Sequence, residues 1–307
     1  MPTMPNHKIM KEYKFTLDRS SRKFICPACN RKRFVRFIDR QTGQYLPEIY
    51  GRCDRQQNCG YFKKPGSNSL FVPIMNHHEP KRLNSIISTD LVNASLKAYG
   101  QNNFVSWLRS FYTDEQVQQL IDRYFIGTSK QGCIFWQLDQ ERKVRAGKII
   151  QYDPVTGHRR KDINPKWVHK ILQLKNFELK QCLFGLHLTK GLKQDRVVCI
   201  VEAEKTAIVC SGFFPDMIWL ATGGLQNFQT EKLEPLKRFW IMLFPDAGCY
   251  SIWNSKALKI QSEIPGIKLK VSDFLEKNTP ETHRIKGYDL ADYLTNKQLQ
   301  DCLKPVL

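Results

Sequence analysis

Val197-Val198-Cys199-Ile200-Val201 is an unbroken apolar run closed by Glu202. Such a run suits a strand buried on both faces of a parallel sheet, where neither face needs a polar side chain. Met217 to Leu220 and Phe239 to Phe244 repeat the pattern downstream, with helical segments between them. Strand, helix and strand in alternation predict an α/β unit over residues 191–307. Ligands of an open parallel sheet collect beyond the carboxyl ends of its strands. Two acids stand there: Glu202 after the first run, and Asp246 in Phe244-Pro245-Asp246-Ala247-Gly248 after the third. Carboxylates are hard oxygen donors of the kind that hold Mg²⁺ or Mn²⁺ near phosphate. Glu202 alone reads equally well as an acid favoured by a helix dipole. Lys205 reads either as a phosphate contact or as a solvated helix lysine.

Upstream of that unit the pattern changes. Between about 85 and 125 it is helical, and Thr113 with Gln116 forms a capping-box signature ahead of Val117, Leu120, Ile121 and Tyr124. Cys133 to Trp136 and Val144 to Tyr152 read as strands. The stretch Lys63-Lys64-Pro65-Gly66-Ser67-Asn68-Ser69 reads as a linker. Residues 24–62 mix aromatic and basic side chains in short alternating runs, with hairpins expected around Gly43 and Gly51.

Within that N-terminal stretch, Cys26-Pro27-Ala28-Cys29 is a Cys-x2-Cys knuckle, followed by Cys53 and Cys59 at a wider Cys-x5-Cys spacing. Four thiolates complete a tetrahedral zinc shell and leave no position open for water, so the site is structural. Zinc would supply on the order of 10 kcal/mol to a module too small to fold on its own core. Cys133, Cys182, Cys199, Cys210 and Cys249 lie in apolar or mixed segments, where a reduced thiol packs as a small hydrophobe. This division of the cysteines fits a reducing compartment.

The formal charge of +19 is concentrated. Residues 1–65 hold 15 Lys/Arg against 5 Asp/Glu, residues 142–190 hold 12 against 3, and the remainder is neutral. Two basic regions on a neutral background point to a polyanionic partner. Arg145, Lys148, Arg159, Arg160, Lys161 and Lys166 are candidates to line a nucleic-acid path, since cations beside aromatic rings serve sequence-tolerant strand binding. No apolar run reaches membrane-helix length and no signal-peptide pattern opens the chain, so a cytoplasmic protein without a membrane partner is expected.

Three successive blocks carry a resemblance: Val201-Glu202-Ala203-Glu204-Lys205-Thr206-Ala207, Ala221-Thr222-Gly223-Gly224, and Phe244-Pro245-Asp246-Ala247-Gly248. In this order they resemble a Toprim domain, the metal-dependent fold of DnaG-type primases, topoisomerases and some nucleases. Gly132-Cys133-Ile134-Phe135, Lys161-Asp162-Ile163-Asn164-Pro165 and Leu183-Phe184-Gly185-Leu186 are similar to the segments that precede the Toprim strands in a DnaG-type primase. That family also carries its zinc ribbon at the N-terminus. The resemblance implies an α/β protein: a zinc β-ribbon (1–65), a linker and helical segment (66–130), a basic mixed α+β segment (131–190) and a Toprim-like parallel domain (191–307).

The resemblance further implies metal-dependent primer synthesis on single-stranded DNA from nucleoside triphosphates, with Glu202 and Asp246 catalytic. It leaves room for a replicative helicase as partner, since no Gly-rich Lys-Ser/Thr phosphate loop occurs in the sequence. Two departures mark a divergent branch, of the sort carried by phages or mobile elements. Asp-x-Asp becomes Asp246-Ala247-Gly248, and the ribbon has four cysteines where a histidine is usual. Asp289 and Asp292 resemble the family's later acidic block and are expected to supply the missing magnesium ligand, although Asp289 also reads as a helix cap. A non-catalytic nucleic-acid-binding protein with a degenerate Toprim fold and a Toprim nuclease remain open. A topoisomerase is disfavoured, because no candidate tyrosine stands out.

Overall fold

The computed structural model describes residues 13–20, 22–54, 59–65 and 85–296. They fall into two compact units, Met1–Glu79 and Pro80–Leu307. Of the expected linker and helical segment, residues 66–84 lie outside the described residues.

The first unit is antiparallel. Strands β1 (Phe15–Leu17), β2 (Phe24–Ile25), β3 (Lys32–Asp39), β4 (Gly51–Cys53) and β5 (Phe62–Lys63) form one sheet in the order β1-β3-β4-β5, with β2 also on β3. Gly43 turns the chain after β3 with φ of +69°, as a hairpin glycine should. Gly51 does something else. It pairs with Arg36 and Lys63 inside the sheet, and an added Cβ would stand 2.3 Å from the Val35 carbonyl and 2.5 Å from the Phe34 ring. The expected hairpin at Gly51 is therefore a strand, and the glycine admits a close approach.

The second unit begins with three helices: α1 (Thr89–Ser95), α2 (Asn103–Leu108) and α3 (Asp114–Tyr124). The Thr113–Gln116 capping box forms as expected, with both reciprocal bonds present. An antiparallel sheet follows, β6 (Gly127–Ser129), β7 (Gly132–Leu138), β8 (Val144–Ile150) and β9 (Lys166–Trp167), in sequential order, with a short helix α4 (Val168–Ile171) after it. Next come β10 (Val197–Val201), α5 (Glu204–Phe213), β11 (Ile218–Ala221), α6 (Thr230–Leu233), β12 (Trp240–Leu243), α7 (Tyr250–Glu263) and β13 (Lys268–Val271). Helices α8 (Phe274–Asn278), α9 (Glu281–Lys286) and α10 (Leu290–Thr295) complete the described chain.

The four later strands are parallel, in the order β11-β10-β12-β13. The apolar run that predicted β10 is buried on both faces. Cys199 and Val201 pack with α3, α5 and α10, whereas Val198 and Ile200 pack with α7 and the segment before β12. From β10 the chain crosses first to β11 on one side and then to β12 on the other. The switch point therefore lies between β10 and β12, and the loops beyond their carboxyl ends form the crevice where such sheets bind ligands.

Candidate functional site

In the first unit, Cys26, Cys29, Cys53 and Cys59 converge, with their sulfurs all within 4.8 Å of one another. Cys26 and Cys59 are 3.6 Å apart, and Cys29 and Cys53 3.9 Å. A Zn–S bond of about 2.3 Å places tetrahedral sulfurs about 3.8 Å apart, so the donor set fits zinc. The knuckle is shaped by backbone bonds: Cys26 N donates to the Arg31 carbonyl and Asn30 N to the Cys26 carbonyl, with Asn30 left-handed. The Arg31 amide also donates to Cys29 and pulls that thiol down to about 7, toward the thiolate a metal needs. Phe34 is fully buried against Cys26 and Cys53, and Arg36 lies over the rings of Phe24 and Tyr45. These members of the aromatic–basic series build the ribbon's interior, while Arg33, Arg52, Phe62, Lys63 and Lys64 are exposed.

In the second unit, Glu202 stands immediately after β10, and Asp246 three residues after β12, on either side of the switch point. The Leu225 amide donates to Glu202, and Lys148 and Lys256 lie close enough to favour its charge. Burial outweighs them and, with Asp289, pushes the Glu202 carboxyl above its ordinary value. Asp246 is shifted further: burial first, then the charges of Asp289, Glu202 and Asp292, hold it well above the carboxylate range. The excess of negative charge here is what a divalent cation would relieve, and the donors are hard oxygens, so the carboxylates fit Mg²⁺ or Mn²⁺ in kind. They are not gathered as tightly as the cysteines, which are the described His, Cys, Asp or Glu group with ligand atoms within 4.8 Å of one another.

Asp289 and Asp292 do more than face Asp246. Asp289 caps α10 in a capping box with Asp292, and its Oδ2 accepts from Thr206 Oγ1 at 2.7 Å. Lys205 lies 3.4 Å from Asp289 and 3.1 Å from Asp292. Burial works against its ammonium, but the two carboxylates prevail and hold its pKa above the ordinary value. Lys205 is therefore neither the solvated lysine nor the free phosphate contact that the sequence suggested. It is buried, and spent on two aspartates.

Position 248 is shaped for glycine. Its φ is +81°, and a Cβ would sit 2.8 Å from the Arg284 carbonyl. The Gly248 amide instead donates to Glu276 Oε2 at 3.0 Å, so a carboxylate from α8 reaches the place where this loop has none of its own. Sequence reasoning missed Glu276, since nothing local links it to residue 248. It also missed Glu204, which is almost fully buried and accepts two bonds from Lys148 Nζ, at 3.0 and 3.1 Å. Lys148 donates to the Gly223 carbonyl as well, tying β8 to the crevice. The expectation of a nucleic-acid contact at Lys148 is corrected accordingly, because its ammonium points inward to a buried carboxylate. Arg145 is half-buried on Asp139 at 2.7 Å. Arg159, Arg160, Lys161 and Lys166 are exposed, with Arg160 paired to Asp162.

A cleft of about 490 Å³ is lined by Trp167, Lys170, Lys180, Gln181, Asn227 and Lys232 among others. Asn227 Nδ2 donates to the Gly223 carbonyl, which places the cleft beside the crevice. Burial brings Lys232 down to about 8.

Residues 13–70 match a zinc beta-ribbon finger family, and residues 102–247 match a domain of unknown function (DUF6371). Comparison with curated protein sequences gives no match. Among solved structures, the chain is similar to the primase fragment of the bacteriophage T7 primase-helicase protein. The identity is 14%, over 93% of this chain and 98% of that one, with a TM-score of 0.43. It is also similar to a DnaG catalytic core, 13% identical over 70% of this chain and 76% of that one, with a TM-score of 0.46. A third similarity is to the zinc-binding and RNA polymerase domains of the Aquifex aeolicus primase. There the identity is 11%, over 94% of this chain and 80% of that one, with a TM-score of 0.40. Among the described residues no helix is long and apolar enough to cross a membrane.

Proposed function

We propose that this chain is a primase-like nucleotidyltransferase that binds single-stranded DNA and joins nucleoside triphosphates in a reaction dependent on Mg²⁺ or Mn²⁺. The observation that carries this reading is the pair Glu202 and Asp246 flanking the switch point of a parallel sheet, crowded by further acids. A divalent cation held there would neutralise charge as it develops on the phosphoryl oxygens. The chain's own residues do the rest. Glu202 and Asp246 would hold the cation, with Glu276 at the rim of the same loop and Asp289 and Asp292 adding negative field that Lys205 partly offsets. Lys148 and Glu204 fix the Gly223 turn that walls the crevice. The cleft at Trp167 offers an aromatic face and three lysines, the combination that holds a strand by stacking and phosphate contact. The zinc ribbon adds its exposed Arg33, Arg52 and Phe62 to strand binding.

Gly248 favours a second reading, a strand-binding protein without catalysis, because the loop cannot carry a second aspartate. The two separate in an assay of labelled oligonucleotide synthesis on single-stranded DNA, run with ribo- and deoxyribonucleotides. Synthesis lost in Glu202→Gln and Asp246→Asn while strand affinity holds supports the proposal. Strand binding with no synthesis under any metal or nucleotide mixture refutes it, and cutting of the DNA that stops in the same variants reassigns the site to hydrolysis.

A further inference from the structure

A second cavity, of about 530 Å³, is lined by Arg123, Phe125, Arg142, His187, Leu188 and Lys190. It lies away from the carboxylate edge. Arg123 Nη1 and Nη2 donate at 3.2 Å to the carbonyls of Pro215 and Met217, just ahead of β11, at the opposite end of the parallel strands from Glu202. None of its residues takes part in the site described above.

Its walls carry three cations and no acid. Lys190 has only a loose ion pair, 3.9 Å from Glu141 and exposed, and the Arg142 guanidinium has no ion pair or hydrogen bond among the described residues. Arg142 is also held in an unusual way. It sits at φ of +58° in the turn between β7 and β8, and Asp139 fastens that turn by accepting from the amides of Glu141 and Lys143 at 2.9 Å each. Phe125, just after α3, is left-handed too, at φ of +51°. Two non-glycine residues in this strained region face one cavity, and such strain persists where the surroundings enforce it.

His187 adds a neutral ring to the wall. Its ring is buried and lies 5.3 Å from that of Phe125. Nε2 is 2.9 Å from the Arg123 carbonyl, which can only accept, so Nε2 carries the proton and Nδ1 is an acceptor. Nδ1 is buried and has no partner. Burial, reinforced by the Arg142 and Arg123 charges, lowers the imidazole to about 4 and keeps it neutral. The cavity thus offers cations for an anion beside an aromatic wall, with Nδ1 enclosed behind that wall. A bare phosphate satisfies only the cations.

We propose that this cavity binds a small phosphate monoester, a mononucleotide or a sugar phosphate. The phosphate lies between Arg142 and Lys190, and the body of the ligand lies against Phe125 and His187. The test is equilibrium dialysis of the full chain with labelled adenosine 5′-monophosphate and, separately, ribose 5-phosphate, without added divalent cation. Wild type is compared with Arg142→Asn, Lys190→Gln and Glu202→Gln. Asparagine tolerates left-handed backbone, so Arg142→Asn removes charge without forcing the turn. One equivalent is expected to bind, about tenfold more weakly in Arg142→Asn and in Lys190→Gln, since each loses a charge-assisted bond. Glu202→Gln should bind as wild type does. Tighter binding of the nucleotide identifies the aromatic wall as a base platform, and equal binding identifies a sugar-phosphate site. The proposal falls if neither compound binds at millimolar concentration, if binding survives both charge substitutions, or if it is lost in Glu202→Gln.

Discussion

Restoring an aspartate at position 248 should damage the protein rather than improve its site. The backbone there has φ of +81°, which costs an L-residue about 1–2 kcal/mol relative to glycine. The new Cβ would also stand 2.8 Å from the Arg284 carbonyl, a backbone atom that cannot swing aside. Overpacking of that kind costs about 1–3 kcal/mol. Together the loss is about 3 kcal/mol. For a unit of this size each kcal/mol moves Tm by about 2–4 °C, so Gly248→Asp should melt roughly 6–12 °C lower. Because both costs arise at Cβ, Gly248→Ala should lose nearly as much, which separates backbone strain from charge repulsion. Differential scanning calorimetry of the two variants reads the values directly. If Gly248→Asp melts within 1–2 °C of wild type, the loop is freer than its geometry implies and the reasoning fails.

Other outcomes follow from the same structure. Lys148→Met leaves Glu204 buried without its cation and should cost about 3–5 kcal/mol in chemical denaturation, yet leave the salt dependence of strand binding unchanged. Neutralising the exposed Arg159, Arg160 and Lys161 together should flatten the plot of log affinity against log salt by about 2 units, at about 0.7 for each lost single-strand phosphate contact. His187 titrates at about 4 when folded against 6.5 in its reference state. Below pH 6.5 the unfolded chain takes up the proton first, so stability held above that pH is lost as pH falls toward 4. The loss is about 3 kcal/mol, and His187→Gln should abolish it in Tm measured against pH. Freshly purified reduced protein should contain one zinc per chain by elemental analysis, and Cys26→Ser should lose both the metal and the fold of the ribbon, as read by proteolysis.

Local pattern reached some features and not others. The cysteine knuckle, the capping box at Thr113 and the run at Val197 are legible because each is a short-range rule: ligand spacing, a three-residue reciprocal bond, burial on two faces. The strand β13 was missed because Lys268-Leu269-Lys270-Val271 alternates at the sheet's edge and carries no apolar run. Lys148 and Glu204 are 56 residues apart, and Lys205 and Asp292 are 87 apart. At such separations a lysine that pairs with a buried acid looks like any other basic residue. Glycine was ambiguous for a related reason: at Gly51 it yields to a neighbouring ring and at Gly248 to a carbonyl, and both neighbours are tertiary. The two acids of the crevice were found because strand ends are local, whereas Glu276 arrives from another helix.

The central claim is that Glu202 and Asp246 hold a divalent cation at the switch point, and Mn²⁺ binding followed by electron paramagnetic resonance tests it most directly. Free Mn²⁺ gives a sharp spectrum that broadens on binding, so titrating it into the zinc-loaded full chain counts the sites. The account predicts a bound ion in wild type that Mg²⁺ displaces, and that disappears in Glu202→Gln and in Asp246→Asn while both variants keep their zinc and their Tm. Undiminished Mn²⁺ binding in the double variant, or no binding in wild type with single-stranded DNA and nucleotide present, would contradict it.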